Sequence, residues 1–309
     1  MSAKTPRRSH TRETTVQTPG KAKELWRLST LPPAVAPRPR PVAHRAPVLE
    51  HHDLAGRYRF LRLYARPIAD HALPGQFVML TVARDGENAP VLPRPMAIYR
   101  TDTTAGTIDI LYGVVGAGTR RLAGFRTDET MLVVGPLGRW FEIGPDVASV
   151  LLIGRGIGTC SLTTVAQSTA TTAVTTTAVI SARHPVALIG GDLYREFGVR
   201  ALHEVTDDAG TSSPEALFAR LTADLDDAPP ELILTCGSER LTRLCQQLAQ
   251  RWTGSTVQVS VEAHMACGLG YCHGCASGAR SEGAESPLIC TDGPVFEWRP
   301  EPVAGRGLS

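Results

Sequence analysis

The chain has 309 residues, 42% of them hydrophobic, seven cysteines and a formal net charge of +2. Such a length allows two domains and something over, each with enough apolar residues for a core. No apolar run reaches the roughly 18 residues of a membrane span, the charge is too small to imply a nucleic-acid partner, and an odd cysteine count points to a reducing compartment. The expectation is a soluble, cytoplasmic protein.

Residues 1–50 carry ten Lys or Arg against three Glu. Rich in Pro, Thr and Arg, with PPAVAPRPRP as the extreme, the segment has too few large apolar residues to fold alone and reads as a disordered tail. A transit peptide is the alternative, and the prolines count against its amphipathic helix. Leu25, Trp26, Leu28 and Leu31 are candidates for a short docking segment.

Residues 51–146 are strand-like. Arg57 to Tyr64 alternates, Gln76 to Ala83 is mostly apolar, and Thr107 to Val115 and Thr130 to Val134 follow at similar spacing. Short strands split by Gly, Pro and Asp predict a small antiparallel barrel. Arg94-Pro95-Met96-Ala97 precedes a strand, and Gly116-Ala117-Gly118-Thr119 opens a helix expected over Arg120 to Phe125. A Gly-Thr at a helix start offers N–H groups to a phosphate, or simply caps the helix.

From 147 to 261 the period changes. Ser149 to Ile153 reads as a buried parallel strand. It feeds Gly154-Arg155-Gly156-Ile157-Gly158-Thr159, a strand-to-helix loop whose glycines permit a tight turn and close approach of a pyrophosphate, although the full G-x-G-x-x-G is absent. Further strands are expected at Thr175 to Ala182, at Ala201 to Thr206 ending in Asp207 and Asp208, at Glu231 to Thr235 running into Cys236-Gly237-Ser238, and at Val257 to Val261. Ser213-Pro214 starts a helix, the serine as N-cap and the proline in the first turn. Leu241, Leu244, Cys245, Leu248 and Trp252 share a helix face, which makes Cys245 a core residue. Strands alternating with helices give a doubly wound sheet whose ligand lies at the strands' carboxyl ends, where the Gly154 loop, Asp207 and Cys236 meet.

Residues 262–309 hold Cys267-x4-Cys272-x2-Cys275-x14-Cys290. The first three stand in the spacing with which plant-type ferredoxins hold a [2Fe-2S] cluster. Four thiolates must reach two irons, three from one tight loop and one from a return strand, and Gly268, Gly270 and Gly274 suit that loop. Structural zinc is the alternative, but it usually takes two C-x2-C knuckles. His264 and His273 read as loop or outer-shell residues beside four cysteines.

Barrel, α/β domain and cysteine loop, in that order, resemble the ferredoxin reductase-like flavoproteins, and most closely the electron transfer subunits of dihydroorotate dehydrogenase, from about residue 55 to 297. The resemblance rests on Arg94 to Ala97, Gly118-Thr119, Gly135-Pro136-Leu137-Gly138-Arg139-Trp140-Phe141, and the closing Cys290-Thr291-Asp292-Gly293-Pro294-Val295-Phe296. It implies three cofactors: FAD at Arg94, Pro95, Met96, Ala97, Leu111, Tyr112, Gly113, Gly118 and Thr119; NAD(P)H at Gly154, Gly156, Gly158, Thr159, Asp207, Cys236 and Gly237; and a [2Fe-2S] cluster on Cys267, Cys272, Cys275 and Cys290. Hydride would pass to FAD, then single electrons through the cluster to a partner, the FMN-containing dehydrogenase subunit that oxidises dihydroorotate in pyrimidine biosynthesis. No catalytic side chain is certain; Cys236 is a candidate for positioning the nicotinamide.

Four of the motifs depart from the family pattern. Ala97 replaces a serine, Gly113 stands where an arginine commonly follows the tyrosine, the usual G-G-G-I-G-x-A-P becomes Gly154-Arg155-Gly156-Ile157-Gly158-Thr159-Cys160-Ser161, and the usual C-G-P ends in Ser238. Each lost contact is worth on the order of 1–3 kcal/mol. Arg155 either assists a phosphate or obstructs it. A related reductase serving a different acceptor, and a zinc-stabilised module without enzymatic function, are the alternatives.

Overall fold

The computed structural model describes residues 28–32, 37–54, 56–87, 92–278 and 285–298. Residues 1–27 and 299–309 lie outside the described residues, and with them Leu25, Trp26 and most of the expected tail.

What is described of residues 28–50 corrects that tail. Leu28–Thr30 is strand β1, and Val42–Asp53 is strand β2. Strand β2 pairs with two neighbours and buries Ala46 and Val48 completely. Pro47 and the surrounding charges hide this strand from its composition, yet Ala46 and Val48 alternate as one inward face requires.

After β2 come β3 (Tyr58–Tyr64), the short helix α1 (Arg66–Ala69), β4 (Phe77–Leu80), β5 (Arg94–Ala97), β6 (Arg100–Asp102), β7 (Thr107–Gly113), helix α2 (Ala117–Leu122) and β8 (Thr130–Leu137). They form a seven-stranded antiparallel sheet in the order β5-β4-β8-β2-β3-β7-β6. The sheet curls until β5 lies against β7. Alternation sorts the faces: Leu61 and Leu63 of β3 and Ile108, Ile110 and Tyr112 of β7 fill the core, while Tyr58 and Leu111 point outward. The barrel unit thus begins at Val42, ahead of the expected boundary at 51, and α2 starts at Ala117, earlier than the expected Arg120.

The second sheet holds β9 (Ser149–Arg155), β10 (Thr175–Ala182), β11 (Ala201–Thr206), β12 (Leu232–Cys236), β13 (Thr256–Ser260) and β14 (Val295–Trp298). Its order is β1-β14-β13-β12-β9-β10-β11, parallel from β13 to β11 and antiparallel at β14 and β1. Helices α3 (Thr159–Thr169) and α4 (Gly191–Glu196) cover one face; α5 (Pro214–Leu225) and α6 (Glu239–Arg251) cover the other. Ser213 caps α5, its Oγ accepting from Ala216 N at 3.1 Å. Leu241, Leu244, Cys245 and Leu248 of α6 are fully buried. The doubly wound arrangement read from the chain is present, and its strand order reverses between β9 and β12, where such sheets bind ligands.

The chain's last described strand belongs to this second sheet. Residues 262–309 are therefore no separate unit throughout: the cysteine loop leaves β13, and β14 returns to pair with β13 and with β1. Among the described residues no helix is long and apolar enough to cross a membrane.

Candidate functional site

Three groups of residues converge around the seam between the two sheets. The first is the outer face of the barrel. Tyr58, Tyr99 and Leu111 of the barrel, joined by Ala97, form an apolar wall there with Cys160 of α3 and Ile189 ahead of α4. Leu111 lies on this face because Tyr112, its neighbour in the strand, points the other way, into the barrel core. There the Tyr112 hydroxyl bonds His51 Nε2 at 2.8 Å, and His51 Nδ1 meets Phe125 O at 2.7 Å. Met96 likewise packs on the barrel core. Of the residues expected around a flavin, Tyr112 and Met96 thus present only backbone to this face. Sequence reading missed Tyr58, Tyr99 and Ile189; the alternation in Arg57 to Tyr64 was the signal for Tyr58.

Arg94 sits at the entrance of this face. A Cβ on Gly118 would fall 1.9 Å from Arg94 Nε, so the guanidinium lies directly on α2 here and a side chain at this position would displace it. Arg94 Nη1 donates to Leu92 O at 2.7 Å and Pro93 O at 3.2 Å, neutral acceptors that, among the described residues, leave its charge without a counter-ion. Thr119 Oγ1 accepts from Val115 N at 2.9 Å and Gly116 N at 3.0 Å, closing the loop before the helix. At Gly113 a Cβ would stand 3.7 Å from Arg57 Nε, so the turn residue just ahead of β3 places a cation near the position where the sequence lacks one.

The second group is the glycine loop. Gly154 needs no Cβ because Thr159 Cα and Oγ1 would lie 2.9 Å from it, and Gly158 because Cys236 O and Gly237 Cα would lie 2.6 Å away. Gly237, at φ +106°, meets Arg155 O in the same way at 2.5 Å. These glycines pack β9, α3 and the end of β12 against one another, a role closer than the expected approach of a pyrophosphate. Gly156, at φ +53°, faces Tyr58 Oη. Thr159 and Cys236 are buried, and burial pushes the Cys236 thiol up to about 12, so it is a neutral SH group. Its Sγ lies 3.7 Å from Ser161 Oγ. Asp207 is occupied: Arg155, Arg240 and Ser212 all donate to it. Although burial acts in the other direction, those hydrogen bonds hold its carboxyl well below the usual carboxylate range.

The third group is the cysteine loop. Its sulfurs gather as two pairs, Cys267 with Cys272 and Cys275 with Cys290, each pair within hydrogen-bonding reach. Backbone N–H groups point at three of them: Leu269 at Cys267 Sγ (3.3 Å), Gly270 at Cys290 Sγ (3.2 Å) and Cys290 at Cys275 Sγ (3.4 Å). Against its partial burial, such donation lowers the Cys267 thiol to about 7. Among the described residues no three His, Cys, Asp or Glu side chains converge on one point as the ligands of a single ion do. Two pairs with N–H donors fit two irons, with the thiolate charge partly met by the backbone.

Strand β4 links the groups. Phe77 and Met79 pack with Cys275 and Cys290, and the same two residues pair with Ala97 and Pro95 of β5. Gly268, at φ +73°, lets the loop settle on Met79, whose Cγ would lie 2.6 Å from a Cβ. The cysteine loop and the Arg94–Ala97 strand are therefore one strand apart.

The model of the iron-sulfur cluster binding domain of dihydroorotate dehydrogenase B matches residues 262–299. The electron transfer subunit of dihydroorotate dehydrogenase B (NAD(+)) from Bacillus caldolyticus is 30% identical over 256 residues, 82% of this chain and 95% of the relative. Its counterpart from Listeria monocytogenes serotype 4b is 29% identical over 251 residues, 81% and 94% of the two chains. Among solved structures, an NADH-dependent reduced ferredoxin-NADP oxidoreductase described for flavin-based electron bifurcation is similar at a TM-score of 0.68 and 25% identity, over 82% of this chain and 87% of that one. An Amycolatopsis cytochrome P450 reductase shares the fold at a TM-score of 0.52 and 19% identity, over 70% and 67%. The first relative's likeness extends over 82% of this chain, and the chain belongs to the family of dihydroorotate dehydrogenase B electron transfer subunits.

Proposed function

We propose that this electron transfer subunit accepts electrons from NAD(P)H at the glycine loop, carries them past FAD on the outer face of the barrel, and releases them through a [2Fe-2S] cluster in the cysteine loop. The acceptor is an FMN-containing dehydrogenase subunit of the type that oxidises dihydroorotate, in a hetero-oligomer. The observation that carries this reading is the placement of the two thiol pairs one strand from Arg94–Ala97, through Phe77 and Met79 of β4.

When bound, a flavin supplies the exchange between a two-electron hydride donor and a one-electron outlet. The chain does the rest. Arg94 offers a cation to the flavin's phosphates, and the wall of Tyr58, Tyr99, Leu111 and Ile189 keeps water from the ring face. Cys236, uncharged, gives a small apolar floor beside the nucleotide loop. Cys267, Cys272, Cys275 and Cys290 hold the irons, and the N–H groups of Leu269, Gly270 and Cys290 tune them through their sulfurs.

The visible spectrum of anaerobically purified protein tests this. Flavin and cluster bands that both bleach on addition of NADH or NADPH are expected, together with copurification of an FMN dehydrogenase subunit. A colourless protein carrying zinc would overturn the proposal, and copurification with a different acceptor would overturn its last step alone.

A further inference from the structure

The electron path leaves one feature unused: the arginine inside the glycine loop. Arg155 ends β9, and its side chain does not lie over Gly156 or Gly158. It crosses the end of β10, donating from Nη1 to Ser181 Oγ at 2.8 Å and to Asp207 Oδ1 at 3.2 Å, and from Nη2 to Asp207 Oδ2 at 2.6 Å. Asp207 follows β11 directly and is tied back to β10 by its N–H, which donates to Ala182 O at 3.1 Å. Arg240, in the first turn of α6, reaches the same carboxylate from the other side, Nη2 to Oδ1 at 2.8 Å, and Ser212 Oγ donates to it as well.

The charge balance of this cluster is two guanidinium groups on one carboxylate. It stands at the carboxyl edge of the parallel sheet, beside the glycine loop, and Arg240 is 37% exposed while Asp207 is 33% exposed. In doubly wound sheets the residue near the end of the second strand meets the adenosine ribose: an acid accepts the 2′-hydroxyl, and an arginine accommodates a 2′-phosphate. Here the second strand ends at Ala182 and is followed by Arg183 and His184, without an acid, and Asp208 is engaged by His184 Nδ1 at 2.8 Å. Asp207 has both oxygens taken by arginines. A ribose 2′-hydroxyl finds Oδ1 already accepting from Arg155, Arg240 and Ser212 and Oδ2 from Arg155, so this carboxylate is a poor acceptor for it, whereas a phosphate finds an excess positive charge and a fork geometry suited to its oxygens.

We propose that Arg155 and Arg240, held in place by Asp207 and Ser212, form a 2′-phosphate site, so that this chain prefers 2′-phosphorylated nucleotides and takes electrons from NADPH ahead of NADH. The inference rests on the reading of this edge as the NAD(P)H site. It sets the chain apart from its relatives, whose names carry NAD(+). The family pattern has glycine at the position of Arg155, and a glycine would leave Asp207 with acceptors to spare.

Calorimetric titration of the full chain with 2′,5′-ADP and with 5′-AMP isolates the phosphate from any redox step. Binding of 2′,5′-ADP about tenfold tighter or more is expected, since charge-assisted bonds to phosphate are the strong ones. The preference should shrink toward parity in Arg155→Gly and in Arg240→Ala, and persist in large part in Arg155→Lys, which a general loss of folding would not allow. Equal affinity of the wild type for the two ligands, or a preference unmoved in Arg155→Gly, would overturn the proposal. Anaerobic addition of the two dinucleotides separates the failures. Reduction by NADH without discrimination between the ligands sinks the phosphate site and leaves the NAD(P)H reading standing; neither reduction nor binding by either dinucleotide sinks both.

Discussion

The cysteine loop and the nucleotide edge are both gatherings of polar groups beside the same seam, yet they are built in different ways. In the loop, the sulfurs pair with one another and receive N–H groups from residues at most a loop's length away, and Cys272 stays exposed. At the edge, Arg155, Ser181, Asp207, Ser212 and Arg240 come from three strand ends, a turn and a helix, and satisfy one another. The loop presents ligands that wait for positive charge; the edge presents an internal ion network with positive charge left over. In the proposed function the first region holds irons, and in the further proposal the second meets an anion; in the chain itself the cysteine spacing is the stronger signal, because the glycine loop lacks the full G-x-G-x-x-G.

The sharpest way to break this contrast is at the loop. Cys272→Ser should abolish cluster assembly, seen as loss of the cluster's visible bands and of bound iron, and leave flavin reduction by NAD(P)H in place. Cluster absorbance that survives in this variant would refute the ligand set.

A smaller effect is expected where the edge meets the sheet. Gly158→Ala puts a methyl group 2.6 Å from Cys236 O and Gly237 Cα, both backbone, so the two loops must part. A loss of about 1–3 kcal/mol in denaturant unfolding is expected, with weaker nucleotide binding. An unchanged midpoint would show that these loops do not pack as described.

The smallest effect concerns the ion network itself. Burial works to raise the Asp207 carboxyl, but the hydrogen bonds from Arg155, Ser212 and Arg240 prevail and its pKa is depressed from the ordinary 3.8. A depressed carboxyl contributes stability that is fully present above its unfolded value and is lost progressively as the pH falls from there through the folded one. Measured in the Cys272→Ser background, which has no cluster to lose in acid, Asp207→Asn should lower Tm at pH 6, and the gap should begin to narrow as the pH falls from 4 toward 3. With the side chain 33% exposed, solvent screening limits the difference to about 1 kcal/mol or less. A gap that is constant across this range would mean that the carboxylate's charge is not what ties the two arginines.

Some of the fold was plain in the chain. Strands β10 and β11 fall on the stretches expected for them, and Ser213 caps α5 as its position before Pro214 foretold. In these places β-branched residues, a capping hydroxyl and a proline act within a few residues, so the local sequence carries the signal. Strand β2 was not legible, because Pro47 and the charged neighbours resemble a tail until β3 and β8 close on Ala46 and Val48. Tyr112 was taken for a flavin contact; only the pairing of β7 with β3 decides that its ring faces the core and that Leu111 faces the seam.

By itself, the sequence determined the cysteine set and the glycine loops, since ligand spacing and tight turns are properties of consecutive residues. The tertiary structure alone decided that β14 returns to the nucleotide sheet, that the thiol pairs sit one strand from Arg94–Ala97, and that Arg155 reaches across β10 to Asp207, 52 residues further on. A side chain's partner at that separation is fixed by which strands lie side by side, and strand order is a property of the whole sheet.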